Sequence, residues 1–288
     1  MQLARFLSSS GVAVGRLVEA GLQPLDLTAL PGGRLQDILA ADQPRQVADR
    51  LPPLGSVIPL EEVRWLPPID QQEVWAAGVT YLRSRAARME ESEAAADCYE
   101  RVYRSPRPEL FFKATASRCS GHGGPLRIRW DSRWNVPEPE LALVVNPQLQ
   151  IVGYTVGNDM SSRDIEGDNP LYLPQAKLYR QCCGLGPWVT LADAMPARDK
   201  IDILLQIRRG GGLVFEGASA IRQMARGLED LVDWLGREQE FPDGVFLLTG
   251  TGIVPEAGFS LAAGDQVDIT ITGIGTLTNH VVAGEQSS

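Results

Sequence analysis

Apolar and polar residues change rhythm once along the chain. From Val74 onward the apolar residues fall into short runs bounded by Gly, Pro, Asn and charged residues, the pattern of strands buried on one or both faces. It predicts strands over Val74–Val79, Leu110–Lys113, Glu140–Val145, Ile151–Asn158, Trp188–Leu191, Ile203–Ile207, Val245–Thr249 and Val267–Thr272. Arg209-Gly210-Gly211-Gly212 and Gly273-Ile274-Gly275 are expected as hairpin turns, because glycine supplies the positive φ that tight turns require. Helices are the minority. Leu228, Leu231, Val232 and Leu235 form one apolar stripe at helical spacing, while Ser84–Tyr103 is rich in Ala, Glu and Arg with little periodicity and predicts an exposed helical lid. Before residue 67 the runs are broken by Gly15, Gly21, Pro24, Pro31, Gly32, Gly33, Pro52 and Pro53, and they end at Pro67-Pro68. This predicts a smaller α+β N-terminal domain over residues 1–66 and a catalytic domain over 67–288. Strands do not alternate with crossover helices, so the fold class expected is α+β and β-rich rather than a doubly wound sheet or a TIM barrel.

Charge narrows the partners. The 288 residues include 36 acidic and 27 basic side chains, a formal charge of −9, and no basic cluster long enough to follow a phosphate backbone. Nucleic acid and anionic membrane are therefore disfavoured and a small molecule is favoured. The longest uncharged stretch, Leu141–Asn158, is interrupted by Asn146, Pro147, Gln148 and Gln150, which is unsuited to a membrane span. The first residues lack the apolar core of a secretory signal, and the adjacent Cys182 and Cys183 suit reduced thiols more than a disulfide framework. A cytoplasmic protein is expected.

Two histidines, His122 and His280, leave no His-rich zinc site, and the chain has no phosphate loop, no GxSxG elbow and no GxGxxG after a strand. The Gly-rich Thr249–Gly252 stretch reads, by itself, as a tight turn. The informative segment is Pro137-Glu138-Pro139-Glu140 ahead of Leu141–Val145. In extended chain alternate residues share a face, so Glu138 and Glu140 point the same way at the mouth of an apolar strand. Asp159, at the end of the next strand, is the natural third acid. Three such carboxylates suit Mg²⁺, Mn²⁺ or Ca²⁺. Spacing alone favours acids solvated at a strand end, since carboxylates are mostly exposed.

The runs PEPELALVVN, GYTVGNDMSSRD, QAKLY and GLGPWVT, with ELFFKATAS upstream and LLTGTG downstream, resemble the fumarylacetoacetate hydrolase superfamily in order and spacing over roughly Val74 to Val281. The resemblance implies a mixed β-sandwich roll entered after a smaller N-terminal domain. It also implies a divalent-metal triad at Glu138, Glu140 and Asp159, with Mg²⁺ the expected ion and Mn²⁺ or Ca²⁺ as alternatives, and a substrate-facing lysine at Lys177. Ser117 and Thr251 map onto residues that bind the substrate carboxylate.

One departure changes the reaction that is implied. Hydrolytic members carry an N-Y-x-x-H-x-x-E lid motif whose His and Glu activate water. Here Thr80–Ala87 puts Ser84 and Ala87 at those positions, and neither is a general base. The arginine-bearing GVTYLRSR, Glu109 in PELFFK and the DIEGDNPLYLPQAKLY loop resemble instead a branch that dehydrates 2-keto-3-deoxy sugar acids. This implies loss of water from 2-keto-3-deoxy-arabinonate to give 2,5-dioxopentanoate, with Glu109 and Lys177 transferring protons and Arg83 or Arg85 reaching the substrate's far end. An acylpyruvate hydrolase, decarboxylase or hydratase acting on a related 2-oxo acid is the alternative enzyme. A non-catalytic oxo-acid binding protein is the alternative outside enzymes. The family also implies a homo-oligomer, a dimer or tetramer.

Overall fold

Strands with one apolar face must cover it, and here two sheets cover each other. The structure, a computed structural model, describes residues 1–81 and 101–285. In chain order the strands are β1 (Gln2–Ser8), β2 (Gly11–Val18), β3 (Gly21–Pro24), β4 (Trp65–Leu66), β5 (Glu73–Gly78), β6 (Glu109–Thr115), β7 (Cys119–Ser120), β8 (Pro125–Ile128) and β9 (Asn135–Val136). They continue with β10 (Pro139–Val145), β11 (Ile151–Asp159), β12 (Ser161–Ser162), β13 (Cys183–Leu191), β14 (Asp202–Arg209), β15 (Gly212–Ala220), β16 (Val245–Leu248), β17 (Gln266–Ile271) and β18 (Gly275–Ala283). The α-helices are short: α1 (Leu35–Leu39), α2 (Pro44–Arg50), α3 (Arg163–Asp168), α4 (Leu173–Lys177) and α5 (Leu228–Leu235). None of the described helices is long and apolar enough to cross a membrane.

An 11-stranded sheet runs β3-β2-β1-β13-β11-β10-β16-β5-β6, with β4 added to β1 and β7 added to β13. It is mixed, since β16 pairs with β5 and β13 with β7 in parallel while the neighbouring pairs are antiparallel. A five-stranded sheet, β15-β14-β17-β18-β8, lies against it. Both expected hairpins form. Gly210 and Gly211 take φ of 57° and 83° between β14 and β15, and Gly273 takes 84° between β17 and β18.

The main core fills the space between the sheets. Leu141, Leu143 and Val145 of β10 meet Ile203, Leu205 and Ile207 of β14 and Val267, Ile269 and Ile271 of β17. The stripe of α5, Leu228, Leu231, Val232 and Leu235, is buried in the same cluster. On the far face of the large sheet Ala142, Val144, Phe246 and Leu248 pack with Leu3, Leu35, Ile38 and Leu39. The first three strands join this face because β1 pairs with β13, Gln2 opposite Thr190 and Leu3 opposite Val189.

Two elements run differently from the sequence pattern. β13 begins at Cys183, five residues before the expected Trp188, since the glycines of Gly184-Leu185-Gly186 lie inside the strand as close-approach positions. A Cβ on Gly184 would come to 3.0 Å from Asn279 Oδ1. β15 has an exposed, unalternating stretch at Gly212–Val214, so no buried face marked it in the sequence. Replacing the fully buried Leu231 by Ala is expected to cost about 2–5 kcal/mol, because the cavity is enclosed by both sheets and cannot collapse. Denaturant unfolding measures it, and a loss under about 0.5 kcal/mol would contradict the packing described.

Candidate active site

The large sheet delivers three acids to one point. Glu138 immediately precedes β10 and Glu140 is its second residue, so both fall on the face that Ala142 and Val144 continue into the apolar core. β11 sets Asn158 opposite Pro139 and Gly157 opposite Glu140, which carries Asp159 across from Glu138; the Asp159 amide donates to the Glu138 carbonyl at 3.0 Å. Glycine is required at 157, where a Cβ would lie 2.3 Å from Leu248 Cδ2. One carboxylate oxygen from each of Glu138, Glu140 and Asp159 lies within 4.8 Å of the others, and all three residues are buried.

Three buried cations surround them. Lys177, at the end of α4, donates from Nζ to Glu138 Oε2 at 2.8 Å and Asp159 Oδ2 at 3.0 Å. Lys113 of β6 lies behind Asp159, with Nζ 2.5 Å from Oδ1, and also donates to the carbonyls of Met160 (2.9 Å) and Lys177 (2.6 Å). Burial is the largest single influence and works against the Lys113 charge, but Asp159 together with Cys182 and Cys183 outweighs it and the ammonium's pKa is raised. Arg163, opening α3, donates from Nη2 to Glu138 Oε1 at 2.8 Å. Glu140 is served differently, accepting from the Gly250 amide at 2.6 Å. Gly250 has φ of 90°, and a Cβ there would lie 2.0 Å from Thr80 Oγ1. The Thr249–Gly252 turn is thus part of the site.

The cleft is completed by Ala77, Gly78, Val79, Phe111 and Thr251. Glu166, buried within α3, accepts from the Ser161 hydroxyl at 3.0 Å. Among the described residues the buried acids Glu138, Glu140, Asp159 and Glu166 outnumber the buried cations Lys113, Arg163 and Lys177, an excess of negative charge that a divalent ion would offset. The donor set fits such an ion: three hard carboxylates converge, and no imidazole or thiol lines the cleft among the described residues.

Of the residues singled out from sequence, Glu138, Glu140, Asp159, Lys177 and Thr251 meet in the cleft. The Thr251 hydroxyl also caps its own turn, accepting from the Ile253 amide at 3.1 Å. Glu109 opens β6 opposite Gly78, with Oε2 2.0 Å from where a Gly78 Cβ would stand, which puts its carboxylate against the cleft wall. Ser117 is exposed on the turn after β6, within 2.9 Å of the Thr115 hydroxyl, and is not among the residues that line the cleft. Arg83, Arg85, Ser84 and Ala87, and most of the expected lid, lie outside the described residues. Sequence reasoning gave no role to Lys113 or Arg163. The available signal was a lysine embedded in the apolar Leu110–Ala114 strand.

Burial, followed by Asp159 and then Glu138, pushes Glu140 well above the ordinary carboxylate value of 4.5, against Lys177 and the Gly250 amide. A carboxyl raised in the folded state holds more protons folded than unfolded between its two pKa values, so stability falls as pH rises through that window. Metal-free protein should accordingly lose stability as pH climbs above about 4.5, with added Mg²⁺ restoring it. Thermal melts with chelator and with Mg²⁺ across this range check the effect. Glu140→Gln should flatten the slope and weaken cation binding, and an unchanged slope would remove Glu140 as its cause.

Comparison with known proteins places this architecture. The sequence profile described as Fumarylacetoacetate (FAA) hydrolase C-terminal matches residues 73–282. A probable 2-keto-3-deoxyxylonate dehydratase of Haloferax volcanii is 49% identical over 214 residues, 74% of this chain and 73% of that one. The 2-dehydro-3-deoxy-D-arabinonate dehydratase of Saccharolobus solfataricus is 44% identical over 225 residues, 77% of this chain and 76% of that one. A solved structure of 2-keto-3-deoxy-D-arabinonate dehydratase complexed with magnesium and 2,5-dioxopentanoate superposes with a TM-score of 0.85 at 34% identity, covering 99% of this chain and 100% of that one. The match over the two-sheet body that carries the acids, joined to these identities, makes the chain a member of the fumarylacetoacetate hydrolase family.

Proposed function

We propose that the protein is a divalent-metal-dependent dehydratase that converts 2-keto-3-deoxy-arabinonate to 2,5-dioxopentanoate and water. The observation that carries this reading is the convergence of Glu138, Glu140, Asp159 and Lys177 in a chain 44% identical, over three quarters of its length, to a dehydratase of that substrate. With C2 a ketone and C3 a methylene, C4 is the only stereocentre left. Names built on arabinonate and on xylonate of one configurational series therefore denote one compound, which reconciles the two relatives' names.

Glu138, Glu140 and Asp159 would hold the ion, Mg²⁺ by this reading, which when bound polarises the 2-oxo group and acidifies the C3 protons. Lys177 Nζ is held between two carboxylates, in a position to stabilise oxyanions that develop near it. Glu109 is then the proton-transfer group. It takes a C3 proton and returns it to the C4 hydroxyl, which leaves as water; one C5 proton then passes to C3 and the C5 hydroxyl proton to C4, leaving the aldehyde. Phe111 and Val79 give the cleft apolar walls that exclude bulk water. This route needs no activated nucleophilic water, consistent with Ser84 and Ala87 in the lid sequence. Association as a symmetric dimer or tetramer belongs to the same reading, supported by the exposed Trp130, Leu171 and Tyr172. The free thiols suit a reducing cytoplasm.

Incubation with the sugar acid and Mg²⁺ should yield 2,5-dioxopentanoate with no loss of carbon, and chelator should stop it. Acylpyruvates should remain intact. Lys177→Met is expected to lower kcat by about 100-fold or more. Cleavage of acylpyruvates with no semialdehyde from the sugar acid would instead assign the cleft to carbon–carbon hydrolysis.

A further inference from the structure

A second cluster capable of covalent chemistry lies just behind the acids. β7 pairs in parallel with the start of β13, putting Cys119 opposite Cys183, and on the other side of β13 Cys183 stands opposite Asp159. Residues paired across adjacent strands share a face, so Asp159, Cys183 and Cys119 form one row across three strands. Both thiols are free. Strand neighbours stand about 4.8 Å apart, within the Cα separation of about 4.4–6.8 Å that a disulfide accepts. Their exposures differ: Cys119 is half-buried, whereas Cys183 is fully buried.

We propose that Cys119 and Cys183 are an oxidant-sensitive dithiol whose disulfide disables the neighbouring cleft. The oxidant class is a hydroperoxide, with hydrogen peroxide as the simplest member. The Cys119 thiolate attacks one peroxide oxygen, the O–O bond breaks, and the departing hydroxide takes a proton to become water. Cys119 is left as a sulfenic acid. The Cys183 sulfur then attacks the Cys119 sulfur; the S–S bond forms as the S–O bond breaks, and the hydroxide leaves with the Cys183 proton as a second water. Two electrons pass from the sulfurs to the peroxide. Exposure sets the order, since only Cys119 is open to the oxidant.

The consequence for the cleft follows from the row. Bonding fixes the sulfurs about 2.05 Å apart and pulls on the residue directly across from Asp159. Cys182 moves with it. Its carbonyl accepts the Met160 amide at 3.1 Å, and its thiol lies 3.8 Å from the Lys113 carbonyl. Asp159 and its partner Lys113 are thereby displaced together. The loss of turnover rests on the dehydratase reading above, whereas the cross-link does not.

The test uses full-length protein carrying Cys98→Ser, which leaves Cys119, Cys182 and Cys183. After hydrogen peroxide, intact mass should fall by two hydrogens and non-reducing peptide maps should show Cys119 linked to Cys183. Semialdehyde formation should drop about tenfold or more and return with dithiothreitol. The same protein with Cys119→Ser should form no link and keep its activity. Peroxide that takes Cys119 to the sulfinic acid without any link to Cys183 overturns the proposal. So does complete linkage with an unchanged rate. If the sugar acid is not turned over at all, the mass shift and Mg²⁺ affinity before and after oxidation still decide whether the dithiol forms and whether it alters the acids.

Discussion

Three carboxylates held out of water within a few ångströms repel one another, and the rest of the cleft answers that repulsion. Glu138 and Asp159 are compensated by side chains, Arg163, Lys177 and Lys113, whereas Glu140 receives only a backbone amide from Gly250. Buried charges persist only when paired and hydrogen-bonded, and Glu140, which has no ion-pair partner among the described residues, is the acid whose pKa is raised. The excess of buried acids over buried cations gives the protein its affinity for positive charge. It also makes the empty and filled states energetically unequal, so the ion belongs to the stability of the site as well as to its chemistry.

Register converts this electrostatic demand into geometry. A one-residue slip between β10 and β11 would send Asp159 to the opposite face from Glu138, so the apolar alternation that buries Leu141, Leu143 and Val145 on one face also aligns the acids on the other. Lys113 adds a second constraint. Its ammonium holds the end of β11 and the end of α4 through the carbonyls of Met160 and Lys177, so the element presenting Asp159 and the element presenting Lys177 are tied to one point.

Much of this was legible in the sequence. The alternation at Glu138 and Glu140, the apolar strands around them and the order of motifs were enough to identify the acids, Lys177 and the β-rich body. Lys113 and Arg163 escaped because a buried cation is spelled like a solvated one, and only tertiary pairing distinguishes them. β13 was read short because glycine carries two meanings, a turn or a close approach, and at Gly184 the neighbour that decides is Asn279, distant in sequence.

The pairing of β1 with β13 bears on how the molecule comes into being. Gln2 and Thr190 touch across 188 positions of chain, so β1 can form its hairpin with β2 locally but gains its other neighbour only once β13 has been made. The stretch carrying Gly250 emerges later still. Local contacts can form helices and hairpins meanwhile, but the sheet that aligns the acids closes late and through distant contacts, a topology associated with slow folding and exposed strand edges. Alignment of the acids is therefore acquired through contacts between segments far apart in the chain, later than the hairpins that each segment can form alone.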